Sequence, residues 1–184
     1  MGNSLSQAFP PAPHFTEKNV SDLKGKVCYA TCRFPPSIVV NSHLFKVYIV
    51  TGSNTGVGKD VANILYSRNA RVFVAARSQE KAIKAIESMK KNHPDSAGSL
   101  EFLQLDLADL STIKASAEDF LSKADRLDVL FNNAGVMNPA MGSKTAQGYD
   151  LQLGVNNIGT FMFTKLLTPL LVSTAKSAVT GSVR

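Results

Sequence analysis

The sequence predicts an α/β protein built on a parallel sheet of about four strands, with helices on both faces. Short apolar, β-branched runs alternate with stretches of helical periodicity from Val47 onward. The resulting order βαβαβαβα joins each strand to the next through a helix, and such crossovers run right-handed and place helices over both faces. Glycine-rich or small-residue loops follow the first and fourth of these strands, as expected where strand ends open onto a ligand crevice.

The elements follow in order. Val47-Tyr48-Ile49-Val50 is a short apolar run closed by Gly52 and reads as a buried strand. Val57, Val61, Leu65 and Tyr66 recur at helical spacing after it. Arg71-Val72-Phe73-Val74-Ala75 is the second strand, and Ala82, Ile83, Ile86 and Met89 mark the second helix. Residues 100–105 form the third strand, and Ile113, Ala117, Phe120 and Leu121 the third helix. Residues 127–131 form the fourth strand. A long helix follows, with Ile158, Met162, Leu166 and Leu170 along one face. No repeat of fixed long period interrupts the pattern.

Residues 22–184 suit one domain, preceded by a flexible segment over residues 1–21, where Pro10, Pro11 and Pro13 exclude a helix. With 44% hydrophobic and 18% charged residues among 184, the chain is not of a disordered class. No uninterrupted apolar run approaches 18 residues, so no transmembrane helix is expected; the best stretch, 158–172, is broken by Lys165 and Pro169. Two cysteines make no disulfide framework, which points to a reducing, cytoplasmic setting. The net charge of +6, from 20 basic against 14 acidic residues, is scattered. It suits an anionic small ligand, and no nucleic-acid motif accompanies it, so no nucleic-acid partner is expected. The start Met1-Gly2-Asn3-Ser4-Leu5-Ser6 fits both an N-myristoylation acceptor at Gly2 and a plain terminus. A single acyl chain without a basic patch gives only weak, reversible membrane contact.

Four loops carry chemistry. Thr51-Gly52-Ser53-Asn54-Thr55-Gly56-Val57-Gly58-Lys59 joins the first strand to the first helix. A pyrophosphate approaching a helix N-terminus needs backbone N–H groups free of covering side chains, hence glycine. The second strand ends in Ala75-Ala76-Arg77, where a dinucleotide site that prefers NAD carries an acid for the ribose hydroxyls. Arginine there suits a 2′-phosphate, so the expected cofactor is NADP rather than NAD. Asp106, within Leu105-Asp106-Leu107, lies at the ligand edge of the third strand and can take the adenine amino group; Asp109 or Ser111 is better placed to cap the next helix. Asn132-Asn133-Ala134-Gly135 follows the fourth strand; its small residues admit the ribose, and Asn133 can tie neighbouring strands together.

Taken with Val155-Asn156-Asn157-Ile158-Gly159, these motifs resemble the short-chain dehydrogenase/reductase family, and the wording around them is similar to its retinol-dehydrogenase-like branch, particularly the fungal members. The resemblance spans residues 22–26 and 47–184 and implies a Rossmann-like, doubly wound sheet. It implies NAD(P)-dependent hydride transfer between a small-molecule alcohol and a carbonyl. It assigns Gly52, Ser53, Asn54, Gly56, Val57 and Gly58 to the phosphate loop, Arg77 to the 2′-phosphate, and Asp106 and Leu107 to the adenine. Asn133, Ala134 and Gly135 would border the nicotinamide ribose, and Asn156 matches the family's catalytic Asn, which holds a water in a proton relay. Family members often dimerise through the long helix and the one after it.

The chain departs from the family in two places. The family's chemistry uses a Tyr as general acid/base, a Lys four residues later and a Ser. Four residues after Tyr29, Tyr48, Tyr66 and Tyr149 stand Arg33, Gly52, Ala70 and Leu153. The reading is therefore an incomplete Rossmann domain, its N-terminal part only. Its function is that of an NADP-dependent oxidoreductase, or alternatively a truncated, non-catalytic dinucleotide-binding module or a non-functional fragment. In addition, Asp22-Leu23-Lys24-Gly25-Lys26 is separated from the first strand by residues 27–46, and deleting those 20 residues restores the family's continuity. A translated intron and a real insertion both account for it. Cys28 and Cys32 within it lack further ligands for a tetrahedral metal site, and no metal is expected.

Overall fold

The computed structural model describes residues 46–181, with side chains through residue 177. The flexible segment at 1–21, Gly2, both cysteines and, apart from Lys46, the insert at 27–46 lie outside the described residues.

Four parallel strands form one sheet in the order β3-β2-β1-β4. They are β1 (Val47–Thr51), β2 (Arg71–Ala76), β3 (Ser99–Gln104) and β4 (Val129–Phe131). The helices between them are α1 (Gly56–Ser67), α2 (Gln79–Asn92) and α3 (Leu110–Lys123). After β4, a loop leads through the short α4 (Leu151–Leu153) and a π-helical turn (Gly154–Gly159) into α5 (Thr160–Gly181). The strand order places the two central strands between partners on both sides, and their near-continuous apolar composition follows.

Alternate residues of each strand feed two cores, one on each face of the sheet. Val47, Ile49, Phe73 and Ala75 join Ile113 and Phe120 of α3 and Phe163 and Leu167 of α5. Tyr48, Val50, Val72 and Val74 join Ala62, Leu65 and Tyr66 of α1 and Ala82, Ile86 and Met89 of α2. Phe73 meets Phe120 edge to face at 4.8 Å between ring centres, a geometry aromatic quadrupoles favour. The layers are those of a Rossmann-like sheet.

Several boundaries and faces differ from expectation. β3 runs one residue earlier than the apolar run suggested. β4 starts at Val129, not residue 127, because Asp128 serves as a tie before the strand: its N–H donates to the Val47 carbonyl at 2.9 Å and its carboxylate accepts from the Val47 N–H at 2.8 Å. Arg126 forks onto that carboxylate at 2.6 and 3.0 Å. Val57, Ile83 and Leu121 keep the helical spacing but are exposed. In α5 the fully buried positions are Phe163 and Leu167, with Ile158, Met162, Leu166 and Leu170 only half-buried beside them. Against the expectation of no such helix, Leu151–Ser177 is long and apolar enough to cross a membrane by length and composition alone, even with Lys165 and Pro169 within it. In this fold Phe163 and Leu167 pack on the sheet, while most of that apolar stretch stays unburied.

Candidate functional site

The loops at the C-terminal ends of all four strands converge on one cavity of about 350 Å³. Open parallel sheets bind ligands at this edge, where strand order reverses; here the reversal falls at β1, between β2 and β4.

The loop after β1 turns at Gly52, whose φ of +67° suits glycine. Its N–H donates to the Ala75 carbonyl at 2.8 Å. Gly52 and Asn54 line the cavity. Ser53 does not: it is fully buried and its hydroxyl donates to the Val50 carbonyl at 2.6 Å, closing the turn from inside. Thr55 precedes α1 in extended conformation without a side-chain cap bond. By contrast, Ser78 caps α2 by accepting from the Lys81 N–H, and Asp109 caps α3 by accepting from the Ser111 N–H. Hydrogen bonds from Ser111 and Gln147 hold the Asp109 carboxyl below its ordinary pKa. The first turn of α1 therefore offers N–H groups that no capping side chain claims. Gly56, at φ +56°, has open space where a side chain would be. Val57 is exposed, and neither it, Gly56 nor Gly58 lines the cavity.

The other loops complete the walls. Ala75, Ala76, Arg77, Ser78 and Lys81 form the side beyond β2. Beyond β3, Asp106 and Leu107 line the cavity, and Asp106 accepts from the Ala108 N–H at 2.9 Å. Beyond β4 stand Asn133, Ala134, Gly135 and Val136. Asn133 does tie strands together: its side-chain amide donates to the Thr51 carbonyl at 2.9 Å. The buried Thr51 hydroxyl accepts from the N–H groups of Asn133 (3.0 Å) and Ala134 (2.9 Å) and donates to the Phe131 carbonyl at 3.2 Å.

Asn156 sits in the π-helical turn and does not line the cavity. Its Oδ1 accepts from the Val136 N–H at 2.8 Å and its Nδ2 donates to the Val136 carbonyl at 2.9 Å. The amide thus acts as a two-point brace on the loop beyond β4. Among the described residues, Tyr48 and Tyr66 are buried in the core and Tyr149 stands on the loop before α4; none lines the cavity.

Sequence reasoning did not assign Thr55, Ser78, Lys81, Ala108, Val136 or Val155 to the site, although they line the cavity. Ser78 was legible as a helix N-cap, and that would have placed Lys81 in the first turn beside it. The unclaimed N–H groups of α1, the bare Gly52 turn and the two cations beyond β2 suit an elongated ligand carrying several phosphates, and a dinucleotide fits these residues.

Residues 46–183 match the family described as short chain dehydrogenase. The chain belongs to the short-chain dehydrogenase/reductase family. Among its relatives is a short-chain dehydrogenase/reductase from Phomopsis amygdali, 54% identical over 182 residues, covering 99% of this chain and 48% of the relative. Human retinol dehydrogenase 11 is 40% identical over 159 residues, covering 85% and 46%. Among solved structures, the NADP complex of Pseudomonas aeruginosa RhlG superposes with a TM-score of 0.59 at 27% identity, covering 70% of this chain and 49% of that one. The chain spans about half the length of the curated relatives it matches. The parallel sheet with flanking helices matches the fold of solved members of the family.

Proposed function

We propose that this chain holds NADP, and that it serves an oxidoreductase moving hydride between an alcohol and a carbonyl carbon. One observation carries the cofactor reading. The cavity wall beyond β2 consists of Ala75, Ala76 and Arg77, with no carboxylate where a ribose with both hydroxyls free would need an acceptor. A guanidinium there offers two parallel donors to a phosphate. Two similar proteins, one solved as an NADP complex and one a retinol dehydrogenase, support the same direction. When bound, the nicotinamide supplies the hydride chemistry. This chain's residues contribute binding and orientation: α1 meets the pyrophosphate, Asp106 the adenine, and the loop braced by Asn156 the ribose.

The test is Arg77→Asp. NADPH binding should weaken tenfold or more while NADH binding holds or improves; equal losses for both would overturn the 2′-phosphate role. A second reading, a binding module without turnover, is favoured by the lack of any described Tyr at the cavity. NADPH that raises the melting temperature of the chain without supporting alcohol oxidation supports it. Turnover by the purified chain overturns it.

A further inference from the structure

Asp106 stands just past the sheet. β3 ends at Gln104, and the Leu105 N–H still donates to the Ala76 carbonyl at 3.1 Å. Beyond that bond the Asp106 carboxylate is tied to the next turn of chain, where its Oδ1 accepts from the Ala108 N–H at 2.9 Å. The Ala108 carbonyl in turn accepts from the Ala146 N–H at 3.0 Å. Ala146 belongs to the loop between β4 and α4, far along the chain, and does not line the cavity.

A tight hairpin turn presents Ala146 and its neighbour Gln147. The Thr145 N–H donates to the Tyr149 carbonyl and the Gly148 N–H to the Thr145 carbonyl, both at 2.9 Å. Gly148 closes the turn at φ +84°, as three-residue hairpin turns require. Thr145 is buried and its hydroxyl accepts from the Tyr149 N–H at 3.2 Å. From this turn Gln147 reaches the start of α3 with both ends of its amide. Oε1 accepts from the Leu110 N–H at 3.1 Å, and Nε2 donates to the Asp109 Oδ1 at 2.8 Å. The Asp109 cap does not need that donor, because Ser111 already gives it a backbone and a hydroxyl bond. Exposed bonds of this kind replace bonds to water and add little stability; what they add is position.

Resting on the dinucleotide reading above, we propose that Gln147 is a positioning residue for the adenine end of the cofactor. With Ala146 it clamps residues 108–110 from outside the cavity, and Ala108 sets the Asp106 carboxylate that receives the adenine amino group. The stretch after β4 thus supplies both the loop beside the ribose and the clamp behind the adenine.

Calorimetric titration with NADPH and with its hypoxanthine analogue isolates this contact, because the analogue replaces only the 6-amino donor by an oxygen. The wild-type chain should prefer NADPH about tenfold or more, the scale of one hydrogen bond to a charged group. Gln147→Ala should cut that preference below about threefold, through weaker NADPH binding, with the analogue changed less than about twofold. Gln147 is exposed, so the fold should survive its truncation, and any unfolded fraction cancels in a ratio taken on one sample. General loosening would weaken both probes alike and leave the ratio where it was. A preference that survives intact in Gln147→Ala therefore overturns the role of Gln147 and leaves the dinucleotide reading standing. A wild-type chain that binds both probes alike overturns the clamp together with the adenine contact at Asp106, and one that binds neither overturns the dinucleotide reading as well.

Discussion

Gly58 is where α1 comes closest to the rest of the site. A Cβ built there would lie 2.4 Å from the Asn133 Nδ2 and 2.7 Å from the Gly52 carbonyl oxygen. The second contact is to backbone, and that backbone is pinned by the Gly52 N–H bond to Ala75. Gly58→Ala therefore forces α1 outward or drives the Asn133 amide off the Thr51 carbonyl. Overpacking of this kind costs about 1–3 kcal/mol, and losing the Asn133 bond adds about 1 kcal/mol. The better helix propensity of alanine returns about 1 kcal/mol. The net loss should be about 1–3 kcal/mol, a fall in melting temperature of roughly 2–12 °C for a domain of this size.

Gly56→Ala is the companion variant. It meets no atom within 4 Å, and its cost comes only from a φ of +56°, about 1–2 kcal/mol. The chain contains no tryptophan, so urea unfolding is best followed by circular dichroism. Gly58→Ala should lower the midpoint with the slope unchanged and weaken dinucleotide binding through the displaced Asn133. A wild-type midpoint in Gly58→Ala would refute the close approach of α1 to the β1 and β4 loops.

Two further outcomes are expected. Thr51→Val should destabilise the chain by about 2–4 kcal/mol, because the N–H groups of Asn133 and Ala134 lose their shared acceptor; Thr51→Ser should keep most of the stability, and equal midpoints for Val and wild type in urea would remove the brace from the account. The phenol of Tyr48 is pushed up from 10.0 to about 12, first by burial and then by the Asp128 carboxylate, with Arg126 opposing. The unfolded chain ionises this group near pH 10 while the folded chain holds it neutral. Its contribution to stability is therefore complete below pH 10 and lost as pH rises from there toward 12. The wild-type urea midpoint should fall faster than that of Tyr48→Phe between pH 9.5 and 11; parallel profiles would contradict a buried phenol.

The alternation of elements was legible because the strands are short and bounded by Gly or polar loops, with β-branched residues in β1 and β2. The faces of the helices were less so. Val57 stands at the helix start and points to solvent, while the glycine next to it makes the close contact. In α2 the alanines Ala82 and Ala85 lie against the sheet and the larger Ile83 does not, since a helix close to a sheet wants small residues there. In α5 apolar residues occur all round, from Phe161 to Val172, so periodicity alone leaves the buried stripe ambiguous by one position. The π-helical turn has no sequence signature of its own; its glycines mark it only in hindsight. At the cavity, the loops were found by motif, whereas Lys81 and Ser78 belong to a helix start that no motif names.

The polar side chains of these motifs do less direct ligand work than their conspicuousness in sequence suggests. Thr51, Ser53, Asn133 and Asn156 spend hydroxyls and amides on neighbouring backbone, each across a turn or between strands. Such braces hold the loops before any ligand arrives, so ordering them costs nothing at the moment of binding. What remains lining the cavity is the Gly52, Asn54 and Thr55 loop before α1, Asp106 and the basic side chains beyond β2. Beyond its two bonds to Val136, the Asn156 amide keeps one N–H and one oxygen lone pair. The NADP reading predicts how variants sort: loss of a brace should weaken phosphorylated and unphosphorylated cofactors alike, whereas a change at Arg77 should separate them.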